Sequence, residues 1–263
     1  MSNTFRFLWL FSLLLFIVVL PLAKFSPFVF EFTKFIIFYF FSTILLFFTG
    51  MYFFKNEKIE LPPRKIFLPL LIFLTSYIVA SIFSISPLIS VIGYFGSFTG
   101  GLIYVLFLGV VFYSGFILRN ERKLILQTVF LAGLLVSVYG VWQYLNNYSI
   151  THQLIFRIYS TIGQHNRLAF YLLAVLPISF FLFWEEKKGL LKTVYGLGLI
   201  TTLLAFFLTF SRSAYVVLLV ISSLIIYNIY KNYNHYNCYK LIFIPFLLGI
   251  IIFGFIFAKT IPS

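Results

Sequence analysis

The sequence predicts an all-α protein: a polytopic membrane helix bundle of about nine transmembrane helices, with the N-terminus cytoplasmic and the C-terminus outside. Three observations carry that expectation. Hydrophobic residues make up 62% of the 263 and charged residues only 10%, a balance that leaves too little charge to coat a soluble domain. Apolar stretches recur at the length of roughly 20 residues that a hydrocarbon core about 30 Å thick requires. Basic residues collect in alternate loops, as they do on the cytoplasmic side of membrane proteins.

The nine stretches run over 7–23, 35–54, 66–84, 101–118, 124–145, 168–184, 193–210, 214–230 and 241–258. The first resembles a signal peptide, but Arg6 is its only basic flank. Pro21 stands where the outer small residue of a cleavage site ending at Ala23 would be, so the stretch reads as an uncleaved anchor. With the N-terminus inside, cytoplasmic loops hold 13 of the 19 basic residues: Arg6, Lys55, Lys58, Arg64, Lys65, Arg119, Arg122, Lys123, Lys187, Lys188, Lys192, Lys231 and Lys240. The outer side keeps Lys24, Lys34, Arg157, Arg167, Arg212 and Lys259. The net charge of +13 is therefore a record of topology and not a nucleic-acid surface.

What is missing narrows the chemistry. The chain has no aspartate, and its acids are Glu31, Glu57, Glu60, Glu121, Glu185 and Glu186. That removes a Ser-His-Asp triad and an Asp-based site for a hard cation, and it disfavours a pump driven by intramembrane acids. Cys238 is the only cysteine, so no disulfide or cysteine metal site forms within one chain. No GxxxxGK[ST] sequence is present, so the chain carries no P-loop ATPase. No cofactor and no metal are expected.

Polar chemistry collects at three outward-facing places. Between the third and fourth stretches lies "SISPLISVIGYFGSFTGGL" (84–102), where Pro87, Gly93, Gly96, Gly100 and Gly101 read first as a tightly packed turn. The second place is "RIYSTIGQHNRLAFYLL" (157–173). Gly163 ends a loop, Asn166 reads as the N-cap of the next helix, and Arg157, His165 and Arg167 surround the helix start. Unpaired N–H groups at a helix N-terminus, together with planar guanidinium forks, make a credible phosphate cradle. Arg167 reads equally as a headgroup anchor, and His165 either as a structural or solvent-facing residue or as a base. The third place is "LTFSRSAYVVLL" (208–219), where Ser211-Arg212-Ser213 is expected to turn an antiparallel hairpin with Arg212 at its tip and Ser213 as a cap. Together these places suggest an external, arginine-lined site beside the bilayer for a lipid-linked phosphate or diphosphate.

Those same residues resemble the O-antigen ligase and polymerase superfamily of membrane glycosyltransferases. Family members carry R-x-x-G-T-F-G-N-P-N-x-L-A at the start of a central helix. Arg157, Thr161, Gly163, Asn166, Leu168 and Ala169 stand at the matching offsets, and Gln164-His165 replaces the usual Asn-Pro. A second pattern, T-x-S-R-G/S-A, is matched by Thr209, Ser211, Arg212, Ser213 and Ala214. Ser86-Pro87, Gly93 and Gly101 are similar to a third family region, and the clear resemblance covers about 157–220.

The resemblance implies a metal-independent glycosyl transfer on the outer face of a bacterial cytoplasmic membrane, in lipopolysaccharide or polysaccharide biosynthesis. The donor would be a glycan on undecaprenyl diphosphate, and the acceptor lipid A core or another lipid-linked glycan. Arg157 and Arg212 would bind the diphosphate, with Arg167, Asn166, Ser211 and Ser213 beside them. Family members continue into a large periplasmic loop bearing a histidine and then into further helices. By that comparison residues 1–263 are expected to form a single integral membrane domain without the C-terminal half, as a truncated product, as the first part of a split protein whose second chain supplies the rest, or as a degenerate copy; His165 is then the candidate catalytic base within this chain. The competing expectations are a flippase or exporter of lipid-linked glycans and a non-catalytic membrane subunit.

Overall fold

The computed structural model describes residues 3–23, 30–55, 60–93, 100–151, 156–187, 189–218 and 220–221. Every regular element among them is helical, as the composition leads one to expect. The elements are α1 (Asn3–Leu22), α2 (Phe30–Lys55), α3 (Arg64–Ile82), α4 (Pro87–Ile92), α5 (Leu102–Ile117), a single 3-10 turn at Arg119–Glu121, α6 (Arg122–Thr151), α7 (His165–Glu185) and α8 (Leu190–Leu208). A further helix occupies 212–218. Six segments of the described chain are long and apolar enough to cross a bilayer: Asn3–Leu22, Phe32–Lys55, Arg64–Ile82, Arg119–Ile150, His165–Glu185 and Leu190–Leu208.

Two differences from the expected nine have physical causes. The fourth stretch forms α5, a shorter apolar helix whose 16 residues rise about 24 Å. Its start is fixed by Gly101, which presses on the backbone of Val91, Ile92 and Gly93 at the end of α4; a methyl group there would sit 2.7 Å from the Val91 carbonyl oxygen. That close approach is the packed turn expected of 84–102, with Gly96 outside the described residues. The fifth stretch forms α6, which runs to Thr151 and not to 145. Hydropathy marks where apolar side chains stop, whereas the backbone ladder continues through Leu145-Asn146-Asn147-Tyr148 without a breaker. Most of the eighth stretch and all of the ninth lie outside the described residues.

The chain divides into two compact units, Met1–Ala132 and Gly133–Ser263. In the first, Trp9, Leu10 and Leu13 of α1 close on Leu45 and Tyr52 of α2 and on Leu118. Aromatic contacts set the directions. Trp9 meets Tyr52 at 5.7 Å and Phe16 meets Phe38 at 5.9 Å, so α1 and α2 are antiparallel. Phe38 meets Tyr104 at 4.6 Å and Phe53 meets Tyr113 at 5.4 Å, so α2 and α5 run parallel. The Tyr77 hydroxyl donates to the Gly100 carbonyl, and Tyr113 donates to the Glu60 carbonyl at 3.0 Å, so α3 runs against α5.

This up-and-down order gathers charge at one end of the unit. Arg6 pairs with Glu121 at 3.3 Å, and Arg119 with Glu60 at 3.1 Å. All four residues lie in segments at helix ends that the charge pattern assigns to one side of the membrane. Within the apolar helices, hydroxyls turn back on their own backbone: Thr49 donates to Leu45, Ser137 to Gly133, Ser179 to Val175 and Thr202 to Gly198. A buried hydroxyl in a lipid-facing bundle has no water to turn to, so it donates a hydrogen bond to the carbonyl four residues back.

In the second unit, α7 buries Leu168, Ala169, Leu172, Leu173, Val175, Leu176, Ser179 and Leu182. Gly133 of α6 lies against Val175, close enough that a methyl group at 133 would stand 3.2 Å from the Val175 Cβ and nearer to its γ-methyls. Gly196 of α8 faces the Phe183 ring, and the Lys192 ammonium sits 5.3 Å from that ring's centre, so α7 and α8 form a hairpin. The opposite end of the hairpin holds the residues of interest.

Candidate functional site

The loop before α7 does not simply leave the end of α6; it folds back along it. Ile158 is fully buried and packs at Gly140, where a methyl group would stand 2.9 Å from the Ile158 Cδ1. The Ser160 hydroxyl, also fully buried, donates to the Val136 carbonyl at 2.7 Å. The Gln143 side-chain oxygen accepts from the backbone N–H of Tyr159 at 3.2 Å and of Ser160 at 2.9 Å. From Gly140 the helix continues for about 16 Å to Thr151, so the loop is recessed beside α6 by roughly that depth.

Local backbone chemistry then starts α7. Gly163 adopts a left-handed φ of 90°, which costs a residue without a side chain little. Gln164 is extended, at φ −143° and ψ 131°, and occupies the N-cap position without a side-chain capping bond. The first helical bond runs from the Leu168 N–H to the Gln164 carbonyl at 2.9 Å. The helix therefore begins at His165, and the expectation that Asn166 caps it is corrected: Asn166 is already inside the first turn. That frees its side chain for a tertiary contact.

The contact is with the second motif. The Ser211 hydroxyl, in a residue 1% exposed, donates to Asn166 Oδ1 at 2.8 Å and stands 3.2 Å from the Ser213 hydroxyl. The Ile158 N–H donates to the Leu208 carbonyl at 3.2 Å. Two segments separated by some fifty residues, each carrying one of the motif arginines, are thus joined backbone to backbone and side chain to side chain.

The turn between α8 and the following helix is made by Thr209, Phe210 and Ser211, with Phe210 at φ 48°. It is set slightly earlier than Ser211-Arg212-Ser213. Ser211, whose carbonyl accepts from the Tyr215 N–H at 3.2 Å, holds the cap position expected of Ser213. Arg212 opens the new helix. Tyr215 secures the turn by donating to the Phe207 carbonyl at 2.9 Å and packing edge-on against Phe206 at 5.5 Å.

Each candidate residue now has an address. Arg157, Arg167 and Arg212 are exposed, on the loop, in the first turn of α7 and at the start of the last helix respectively. His165 is half-buried at the first position of α7, within electrostatic range of Arg157. Asn166 and Ser211 are bonded to each other, and Ser213 is exposed beside them. Thr161 and Ala169, matched in the motif, are buried. Among the described residues no group of three or more His, Cys, Asp or Glu side chains is placed to hold a metal ion.

Sequence reasoning passed over Gln143. Its signal was present, since it is an amide in the otherwise apolar run "YGVWQYL", where an unused polar group would be costly.

No protein-family model, curated protein or solved structure matches this chain.

Proposed function

We propose that this chain is an O-antigen ligase- or polymerase-like protein of a bacterial cytoplasmic membrane. It would hold the diphosphate of an undecaprenyl-linked glycan on the outer face, for transfer to lipid A core or to another glycan. The topology that goes with this reading is nine spans with the N-terminus in the cytoplasm, the charge alternation providing its basis. One observation carries the site: the two arginine-bearing motifs, remote in sequence, are bonded together at Ile158–Leu208 and Asn166–Ser211.

The chemistry follows from the groups gathered there. Arg157 and Arg212 present guanidinium forks whose planar donors fit phosphate oxygens bidentately. The first turn of α7 adds backbone N–H groups and the positive end of a helix dipole. As the glycosyl bond breaks, negative charge grows on the departing diphosphate. Donors fixed beside it lower the barrier without any metal. Arg167 would extend the same surface, and Ser213 would offer a hydroxyl. His165, at the first position of α7, is the residue within this chain that would take a proton from the acceptor hydroxyl.

The test is genetic and chemical together. Arg157→Ala and Arg212→Ala, each expressed at the normal level in the native host, are expected to abolish attachment or elongation of surface polysaccharide. Lipid-linked precursor should accumulate at the same time. An exporter would instead strand its precursor on the cytoplasmic face, which protease- and lectin-accessibility of sealed vesicles distinguishes. Normal surface glycan in both variants defeats the reading.

A further inference from the structure

The geometry points to Gln143 as the positioning residue of this site: from within a membrane helix, its side-chain oxygen fixes the loop that presents Arg157, and so sets the strength of diphosphate binding. The choice of ligand rests on the function proposed above; the hold on the loop does not.

Two backbone donors converge on one atom of Gln143, the N–H of Tyr159 at 3.2 Å and of Ser160 at 2.9 Å. Two N–H groups aimed at one side-chain atom require that atom to be the amide oxygen. Without it, both part-buried donors would lose the acceptor that holds them to α6. The rest of the loop is fastened along the same line of α6. Val136 takes the Ser160 hydroxyl, Gly140 makes room for Ile158, and Gln143 follows three residues on. Positions 136, 140 and 143 share one helical face.

Ser160 also needs this support. Its φ of 50° is left-handed and unfavourable for a residue with a side chain, and it persists where surrounding bonds over-determine it. Arg157 comes next in the chain before Ile158, whose own N–H is bonded to Leu208. The arginine side chain is exposed, so what Gln143 controls is where its backbone is held.

A cysteine pair reads the loop position directly. A methyl group at 140 would stand 3.5 Å from the Ser160 Cβ, within the Cβ spacing that a disulfide spans. Gly140→Cys and Ser160→Cys are introduced together in the full chain, in membranes, with Ile158→Val to remove the Cδ1 that would otherwise stand 2.9 Å from the new side chain, and with the single natural cysteine removed by Cys238→Ser. Diamide oxidises the two thiols to a disulfide and takes up the two electrons and two protons.

With Gln143 in place the crosslink is expected to form readily. Gln143→Leu is expected to slow it by about tenfold, whereas Gln143→Glu keeps the rate, because a carboxylate accepts both N–H groups. Binding of undecaprenyl diphosphate, read as the rise in unfolding temperature in detergent micelles, should weaken by about tenfold in Gln143→Leu and stay within about threefold in Gln143→Glu. Oxidising the cysteine pair in the Gln143→Leu chain should restore binding, a rescue that general destabilisation would not give. If Gln143→Leu fails to accumulate, Gln143→Asn, one methylene too short to reach, takes its place with the same expectations. An unchanged crosslinking rate in Gln143→Leu, or a locked loop that does not recover binding, overturns the proposal. Wild-type binding by Arg157→Ala overturns the diphosphate reading alone, because the crosslinking rate still judges the hold on the loop.

Discussion

The hydrogen bond from Ser211 to Asn166 is a side-chain link between the two motif segments, and its worth can be measured by a double-mutant cycle. Ser211→Ala removes the donor. Asn166, half-buried, can turn its oxygen to water, so the loss should be about 1 kcal/mol. Asn166→Ala instead strands a hydroxyl in a residue 1% exposed. The Ser213 hydroxyl, 3.2 Å away, can receive that proton, which again limits the cost to about 1 kcal/mol. The double variant has no bond left to lose twice. It should cost about as much as either single change, giving a coupling of about 0.5–1.5 kcal/mol.

The assay is equilibrium unfolding of the purified protein in one detergent, with all four chains compared at the same temperature. The cap geometry makes the result discriminating. The helix after the turn is opened by the Ser211 carbonyl, not by its hydroxyl, so Ser211→Ala should leave that helix start intact. If the two single losses add, with a coupling below about 0.3 kcal/mol, the serine is a local turn residue and does not join the segments.

Other expectations follow from close contacts and charges. Gly101→Ala drives a methyl group into three backbone positions of 91–93 that no rotamer change can clear; a loss of about 1–3 kcal/mol is expected, seen as a lower unfolding temperature. Gly133→Ala meets the Val175 side chain instead, so Val175→Ala in the same chain should recover most of the loss; failure to recover it would mean that α6 and α7 do not approach there. Arg6→Gln should cost under about 1 kcal/mol, because its pair with Glu121 is 39% and 42% exposed and competes with water; a larger loss would mark the pair as buried in the membrane-bound protein.

How much of the site was legible in the sequence depended on what kind of fact each part was. Arg157, Asn166, Ser211 and Arg212 were singled out from residue type and spacing, and the structure joins their segments. At the helix start the structure differs from the sequence expectation. Asn is a better cap than Gln, yet Gly163 and the extended Gln164 set the first turn two residues earlier, and the contact with Ser211 uses the Asn166 side chain. Likewise Ser213 looked like the cap, but Phe210 reverses the chain early enough for Ser211 to fill that place. Preferences for single positions are worth about a kilocalorie, and a tertiary bond of similar size overrides them.

Helical secondary structure and its membrane setting were determined by the sequence alone, because in hydrocarbon every backbone group must be paired within its own segment. A run of apolar residues therefore decides its local structure without consulting its neighbours. The recess of the 156–163 loop, the role of Gln143 and the meeting of the two motifs were decided only by tertiary structure. They depend on which face of α6 the loop lies against and on where α8 ends, and no local rule encodes a hydrogen bond between residues 158 and 208.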